Sequence, residues 1–482
     1  MRSSISKNEG TVLAEILSAM KSIAEDPALI ETAEESLDEG WDSPTAISSA
    51  IEVFAELLKD TEGFAERIAD IRELGLRISA KLTGQDWKTE IPEVGKLIIV
   101  AEDLSPSETS EFTSAVIGVI TQKGGPTSHT AIICRQKGIP ALVSCSEALD
   151  LQTGSQVMID PVGDRAVVDG SLGSATQMLR EFKRTHAPLI QVMGNVGSVQ
   201  DAKALLSTEA IGVGLLRTEL LFLNRDEAPS LSEQTDLYSE LLLSSPEGEV
   251  IFRTLDAGSD KPLKFMNLDF EENPALGVRG FRLHAKRPGV LLDQLTAIFN
   301  AGVATGREVS VMAPMIALAS EAREFAELAR DIGHKRIGVM VETPSMAMDI
   351  QGLGGLVDFV SLGTNDLSQY LFAADRQNDG VATLLDPWQP SLLRMINKVV
   401  EDARPLGIKV GICGESASDP YLSSVFAGMG IDSLSMASTS VEAVSNLLGS
   451  IDIELARACA KVALSAQSAK GSKQSVIGLL AG

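Results

Sequence analysis

From residue 189 onward, eight short apolar runs alternate with stretches of helical periodicity. The runs are Ile190–Asn195, Gly212–Leu216, Val250–Asp256, Ser310–Met315, Ile337–Glu342, Phe359–Asn365, Lys409–Cys413 and Ser433–Ala437. Runs this short, with no strict polar alternation, belong to strands covered on both faces, as in a parallel sheet. Eight strand-then-helix units over 189–482 predict a closed (β/α)8 TIM barrel, so the overall class is α/β. In such a barrel the chemistry sits where the strands end. Those ends carry Asn195, Arg217-Thr218-Glu219, Arg253 through Asp256, Met315, Glu342, Asn365-Asp366 and Cys413-Gly414-Glu415. One charged residue at a strand end is commonplace; a polar or charged group at the same end of successive strands points to a site.

The set has a chemical logic. Arg217, Arg253 and Arg376, with Lys261 nearby, suit phosphate and carboxylate oxygens, because the planar guanidinium fork matches both. Glu342 and Asp366 are hard oxygen ligands from neighbouring strands, a mount for one Mg²⁺ that leaves positions open for water and substrate. Cys413 is either an inert buried thiol or, between Gly411 and Gly414-Glu415, a group placed to give or take a proton.

Upstream, residues 89–171 read as a compact α/β domain with apolar runs Leu97–Val100, Val116–Ile120, Ala141–Val143 and Val157–Ile159. Between the second and third lies Gly124-Gly125-Pro126-Thr127-Ser128-His129-Thr130-Ala131-Ile132-Ile133. A histidine just past a glycine turn, at the start of an apolar helix, can act as a nucleophile. The unpaired N–H groups of that helix end favour an anion acquired there, phosphate above all. The bland reading is a capping or core histidine, but Thr127, Ser128 and the following Arg135 favour the chemical one. Residues 1–88 read as successive helices, with stripes at Val12–Ile23, Ile47–Leu58 and Phe64–Ile78 and helix starts at Asp26-Pro27 and Ser43-Pro44. Residues 172–188 read as a connecting helix before the barrel domain, 189–482. A carrier histidine and a binding site on separate domains imply closure of one onto the other, with hinges near Gly170–Gly173 and Ala187-Pro188.

Bulk properties narrow the partners. Asp plus Glu number 66 against 41 Lys plus Arg, a formal charge of −25, which disfavours nucleic acid and anionic membranes. The acid-rich helical segment is either an ordinary solvated face or a docking surface for a basic protein partner. Four cysteines (Cys134, Cys145, Cys413, Cys459) form no C-x-x-C pair, so neither a disulfide framework nor a zinc site is expected. With no signal-like leader and no run of 18 apolar residues, the expected location is the cytoplasm and no membrane insertion is expected.

Several motifs together resemble Enzyme I of the bacterial sugar phosphotransferase system, the phosphoenolpyruvate–protein phosphotransferases. They are Gly124 through Thr130, Gly214-Leu215-Leu216-Arg217-Thr218-Glu219, Glu271-Glu272-Asn273-Pro274-Ala275-Leu276-Gly277, Val341-Glu342-Thr343-Pro344, Gly363-Thr364-Asn365-Asp366-Leu367-Ser368-Gln369-Tyr370 and Gly411-Ile412-Cys413-Gly414-Glu415. The resemblance spans nearly the whole chain. It implies that residues 89–171 form a swivelling phosphohistidine domain and that His129 is the phosphorylated residue. Thr109 would contact the His129 ring and Arg135 would lie near the phosphate. Arg217, Arg253, Arg376 and Asn365 would bind phosphoenolpyruvate (PEP), with Arg279 and Lys261 completing the basic lining. Glu342 and Asp366 would hold Mg²⁺, and Cys413 would protonate the enolate to release pyruvate. Residues 1–88 would dock the phosphocarrier protein HPr, with Arg72 at a matching interface position, and the barrel would form a homodimer.

The family normally begins with a further strand and a long helix, so relative to it roughly sixty N-terminal residues are expected to be missing, either because the start site is misassigned or because the protein is shortened. In the second case the alternative function is a catalytically impaired or regulatory PEP-binding relative that does not complete transfer to HPr. Pyruvate phosphate dikinase and PEP synthase share the histidine-domain and barrel logic but need an ATP-grasp domain, for which no segment is present.

Overall fold

The structure, a computed structural model, describes residues 26–58, 68–84, 91–104, 108–109, 112–123, 129–136, 139–143, 145–160, 165–168, 182–222, 225, 227–258, 263–266, 268–269, 271–376 and 378–481. Backbone contacts divide the chain into two units, Met1–Gln177 and Met178–Gly482.

In the first unit, α1 (Pro27–Asp38) begins where Asp26 accepts a hydrogen bond from Ala28 N at 2.9 Å and Pro27 takes the first helical turn, where its missing N–H costs nothing. Asp42 does the same for α2 (Ser43–Leu58), accepting from Thr45 N at 2.9 Å. Both Asp-26/Pro and Ser-43/Pro signals therefore mark real helix starts. Against α2 packs α3 (Ile68–Thr83), closely enough that a Cβ on Gly75 would lie 2.8 Å from Ile51 Cγ1. The stripe at Val12–Ile23 lies outside the described residues.

The α/β part holds a parallel sheet of β1 (Leu97–Ala101), β2 (Val116–Thr121) and β3 (Ala141–Leu142), in that order. Val119 and Ile120, consecutive in the central strand, face opposite sides of the sheet. Val119 joins Val116 and Cys134 in one apolar cluster, and Ile120 joins Leu142 and Ala148 in another. Cys134 comes from α4 (His129–Gln136), whose buried Ala131, Ile133 and Cys134 fix it to the sheet. An antiparallel hairpin of β4 (Val157–Asp160) and β5 (Arg165–Val168) follows. The apolar-run reading finds β4 and passes over β5. Arg165-Ala166-Val167-Val168 is only four residues long and opens on a cation; pairing with β4 is what makes it a strand.

The second unit is the barrel. Its strands are β6 (Gln191–Val196), β7 (Val213–Arg217), β8 (Val250–Arg253), β9 (Val309–Ile316), β10 (Arg336–Val341), β11 (Phe359–Leu362), β12 (Lys409–Ile412) and β13 (Ser433–Met436). All neighbours are parallel, and β13 returns to β6 with Ser433 opposite Gln191, closing the cylinder. Two strands stop three residues short of expectation. β8 ends at Arg253 because residues 254–257 turn out to meet other partners. β11 ends at Leu362 because Thr364–Phe372 is already helical, which puts Asn365 and Asp366 in a helical first turn. An acidic residue there faces the positive end of the helix dipole.

The connecting helix expected over 172–188 is not what residues 182–188 form. They are irregular, and the N–H groups of Thr185 and His186 donate to Gly449 O at 2.8 and 3.1 Å, while Arg184 pairs with Glu209. Partners on the barrel satisfy this backbone, so it has no need of helical bonds. Ala187-Pro188, expected as a hinge, lies in this anchored stretch; Gly170–Gly173 and 172–181 lie outside the described residues. No described helix is long and apolar enough to cross a membrane.

Candidate active site

The strand ends bring the expected charges together. Arg217 and Arg253 are the last residues of β7 and β8, Glu342 follows β10, and Cys413 follows β12. Asn365 and Asp366 enter from the turn after β11, Arg279 and Arg376 from loops. Ion pairs join six of the mouth residues into a chain of alternating sign. Glu219 pairs with Arg253 Nη2; Arg253 Nη1 lies 3.1 Å from Asp256 Oδ2; Arg279 Nη2 lies 2.9 Å from the same oxygen. Arg279 Nη1 then reaches Asp366 Oδ1 at 3.2 Å, and Arg376 Nη1 stands 3.9 Å from Asp366 Oδ2. Arg253 is 7% exposed, Asp256 3% and Arg279 2%, so these pairs are desolvated. Burial opposes the charge of both arginines, but Glu219 and Asp256 at Arg253, and Asp256 and Asp366 at Arg279, outweigh it and hold both above the usual guanidinium range. Removing one member of such a chain would leave a buried charge uncompensated, at a cost of about 3–5 kcal/mol. Nε of Arg253 and Oε2 of Glu219 are buried with no hydrogen-bond partner among the described residues.

Glu342 is 1% exposed, and its Oε2 accepts from Met315 N at 2.8 Å. Met315 adopts φ 58°, left-handed for a side chain with a Cβ, a strain of about 1–3 kcal/mol. Gly280, at φ +58°, makes room for it: a Cβ there would lie 2.8 Å from Met315 Cβ. Gly363 makes room for the carboxylate in turn, since a Cβ would lie 2.5 Å from Glu342 Oε1. Burial, then the charges of Asp366 and Asp256, push the Glu342 carboxyl up to about 8 against the pull of Arg253. A desolvated carboxylate crowded by two others is the environment a divalent cation offsets, so Glu342 and Asp366 fit an oxygen-liganded ion. No group of three or more His, Cys, Asp or Glu is placed as a metal cluster among the described residues, and two protein carboxylates are what Mg²⁺ commonly takes.

The thiol of Cys413 is 2% exposed, lies 3.7 Å from Leu362 O and packs with Leu215, Ile251, Met312, Met340 and Phe359 inside the barrel. Burial pushes it up to about 11, so it is a protonated donor at neutral pH. Its backbone is held from both sides. Asn195 Nδ2 donates to Cys413 O at 3.3 Å and is itself fixed by Ser435 at 2.6 Å, while Glu415 N donates to Asn365 Oδ1 at 3.0 Å.

In the first unit His129 opens α4, and Thr130 in the same turn donates to Leu104 O at 2.9 Å. Thr109 is fully buried. Gly124–Ser128, the side chains of His129, Arg135 and Arg72, and all of Lys261 lie outside the described residues. In the sequence Glu219 and Asp256 are only positions at strand ends, and nothing there marks Gln294 beyond its place in a helix. The signal for Gln294 was a lone amide within the buried stripe Leu291, Leu295, Ile298 of helix Pro288–Thr305. A cavity of about 1390 Å³ opens at the opposite, N-terminal end of the barrel, bordered by Gln191, Glu249, Arg336, Lys409 and Asp432. Two pairs of its charges match each other, Lys409 with Asp432 at 2.8 Å and Arg336 with Glu249, as on a face that serves stability.

A family model of the PEP-binding domain of PEP-utilising enzymes matches residues 174–453, and one of the mobile domain of PEP-utilising enzymes matches 94–171. The phosphoenolpyruvate-protein phosphotransferase of Streptomyces coelicolor is 37% identical over 483 residues, covering 96% of this chain and 87% of that protein. The Bacillus subtilis protein of the same name is 33% identical over 474 residues, 90% and 82% of the two chains. A multiphosphoryl transfer protein of Xanthomonas campestris pv. campestris is 37% identical over 437 residues, 84% of this chain and 52% of the relative. The barrel, its charged mouth and these similarities agree: the chain belongs to the PEP-utilising enzymes and, within them, to the phosphoenolpyruvate-protein phosphotransferases, the Enzyme I family of the phosphotransferase system.

Proposed function

We propose that the chain transfers the phosphoryl group of PEP to His129 and then to the carrier protein HPr, releasing pyruvate, as the first step of sugar uptake by the phosphotransferase system. The observation that carries this reading is the juxtaposition at the barrel mouth of a buried arginine–carboxylate chain with a buried, protonated thiol. Arg217, Arg253 and Arg376, with Arg279 and Lys261, bind the phosphate and carboxylate oxygens, and Asn365 orients the substrate. Glu342 and Asp366 would hold Mg²⁺, which when bound neutralises charge on those oxygens.

The phosphorus–enol oxygen bond breaks as a bond forms from phosphorus to one nitrogen of neutral His129, the other nitrogen keeping its proton. Positioning and charge stabilisation do most of this work. The enolate left behind takes a proton at its methylene carbon from Cys413 Sγ, giving pyruvate, and the thiolate recovers a proton from water. Thr109 and Arg135 orient the imidazole and its phosphate. In this reading residues 1–88, with Arg72, dock HPr; 89–171 carry the phosphohistidine; 172–188 connect; and 189–482 bind PEP and form a cytoplasmic homodimer.

Labelling tests it. Purified protein with labelled PEP and Mg²⁺ should acquire an acid-labile phosphate that His129→Ala loses and that HPr discharges. Label that HPr cannot remove would favour the impaired or regulatory relative. Label accepted by His129→Ala would overturn the assignment.

A further inference from the structure

We infer that Gln294 is a positioning residue for PEP binding, clamping the exit of β8 so that Arg253 and Asp256 face the substrate; this rests on the reading above. Gln294 is 1% exposed, on the outer helix Pro288–Thr305, and touches none of the charged groups it serves. Its amide is used in both directions. Nε2 donates to Thr218 Oγ1 at 3.0 Å and to Tyr238 Oη at 3.2 Å, while Oε1 accepts from Leu255 N at 2.9 Å. That acceptor faces a backbone N–H, so the amide cannot be flipped without losing a bond. Thr218, next to Arg217, passes the constraint on: its hydroxyl donates to Arg253 O at 2.8 Å. Tyr238 anchors the other side by donating to Gln234 Oε1 at 3.2 Å.

Among the described residues, the backbone of 253–257 is held as follows. Arg253 O is taken by Thr218, Thr254 N donates to Met312 O at 3.0 Å, Leu255 N is taken by Gln294, and Ala257 O accepts from Gly280 N at 3.1 Å. Over the described residues 253–257, then, one side chain makes one of these bonds and braces another. Asp256 follows directly, and both its oxygens are committed to Arg279. A shift of Leu255 therefore moves Arg253, Asp256 and Arg279 together. Gln294 and Thr218 themselves bond to none of Glu342, Cys413 and Asn365, though Arg253 and Asp256 act on Glu342 by charge and Arg279 pairs with Asp366, so loss of Gln294 should weaken substrate binding more than the chemical step.

The test is steady-state pyruvate release by the full chain with PEP, Mg²⁺ and HPr, comparing wild type, Gln294→Met, Thr218→Val and the double variant. Methionine keeps the length and volume and removes all three hydrogen bonds. The expected result is a KM for PEP raised about tenfold, kcat lowered less than about threefold, and KM for HPr unchanged. The size corresponds to about 1.4 kcal/mol, in the range for buried hydrogen bonds. Thr218→Val should do the same, and the double variant should be no worse than the poorer single one, because both break one relay. Unchanged KM for PEP in either folded single variant, or strictly additive effects in the double, would overturn the positioning role. Should Gln294→Met not fold, Thr218→Val alone decides. Wild type that neither binds nor turns over PEP would instead refute the proposed function itself.

Discussion

The environment of Cys413 can be checked without any substrate. Its thiol is buried among Leu215, Ile251, Met312, Met340 and Phe359 and pushed up to about 11. An ordinary thiol near 8.5 is about one-quarter thiolate at pH 8, whereas one near 11 is about 0.1% thiolate, a ratio of about two hundredfold. The more basic thiolate is also the better nucleophile, by about tenfold over this interval at a Brønsted slope of about 0.4–0.5. Alkylation of Cys413 at pH 8 should therefore run at least about tenfold slower than that of a free thiol, before access is considered. The pH profile is the sharper signature. The rate should climb tenfold per unit through pH 8–10 and level off only near 11, whereas an ordinary thiol levels off above about 9. Iodoacetamide labelling with mass spectrometry of the Cys413 peptide reads both quantities. A plateau near pH 9 would refute the burial argument.

Other expectations follow from single contacts. Cys413→Ala should spare PEP binding, measured calorimetrically, and cut pyruvate release at least tenfold; unchanged turnover would remove the thiol from the reaction. Gly363→Ala drives a Cβ to 2.5 Å from Glu342 Oε1, and overpacking of about 1–3 kcal/mol at that carboxylate should weaken Mn²⁺ binding by about tenfold with the fold retained; equal Mn²⁺ affinity in the two proteins would count against Glu342 as a ligand. Asp26→Ala deletes the side chain that accepts from Ala28 N, so melting of the first unit should show a loss of about 1 kcal/mol, and no loss would mean that the cap is not formed in solution.

The barrel was legible because its strands are buried on both faces and so read as uninterrupted apolar runs that no helix of this length would show. Charges at strand ends were legible for the complementary reason: Arg217, Glu342 and Cys413 each break such a run at its C-terminal edge. What could not be read is anything decided by pairing at a distance. Asp256 looks like one more strand-end acid until Arg279, 23 residues later, turns its Nε–Nη2 edge toward it. Gln294 looks like a flaw in an apolar stripe until Thr218 and Leu255, 76 and 39 residues away in sequence, supply its partners. The irregular course of 182–188 has the same origin, since its N–H groups are satisfied by Gly449, more than 260 residues downstream.

The charge arrangement at the mouth also bears on why a cation belongs in the proposed reaction. Over the named residues, Arg217, Arg253, Arg279 and Arg376 stand with Glu219, Asp256, Glu342 and Asp366, four charges of each sign if all are ionised. With all eight ionised, these residues together carry no net charge toward a polyanion such as PEP. Arginines already committed to carboxylates are rigid and oriented, which favours geometry over attraction. The raised Glu342 carboxyl says where the balance is worst: burial beside Asp366 and Asp256 makes its own ionisation unfavourable. A divalent ion placed there restores the ionised form and gives the substrate's oxygens a positive partner at once. Metal and PEP should then bind with positive coupling, each tightening the other by the same factor. Calorimetric titration of PEP at several Mg²⁺ concentrations measures that factor; PEP affinity independent of Mg²⁺ would mean that the arginines alone carry the anion and that Glu342 and Asp366 serve the fold.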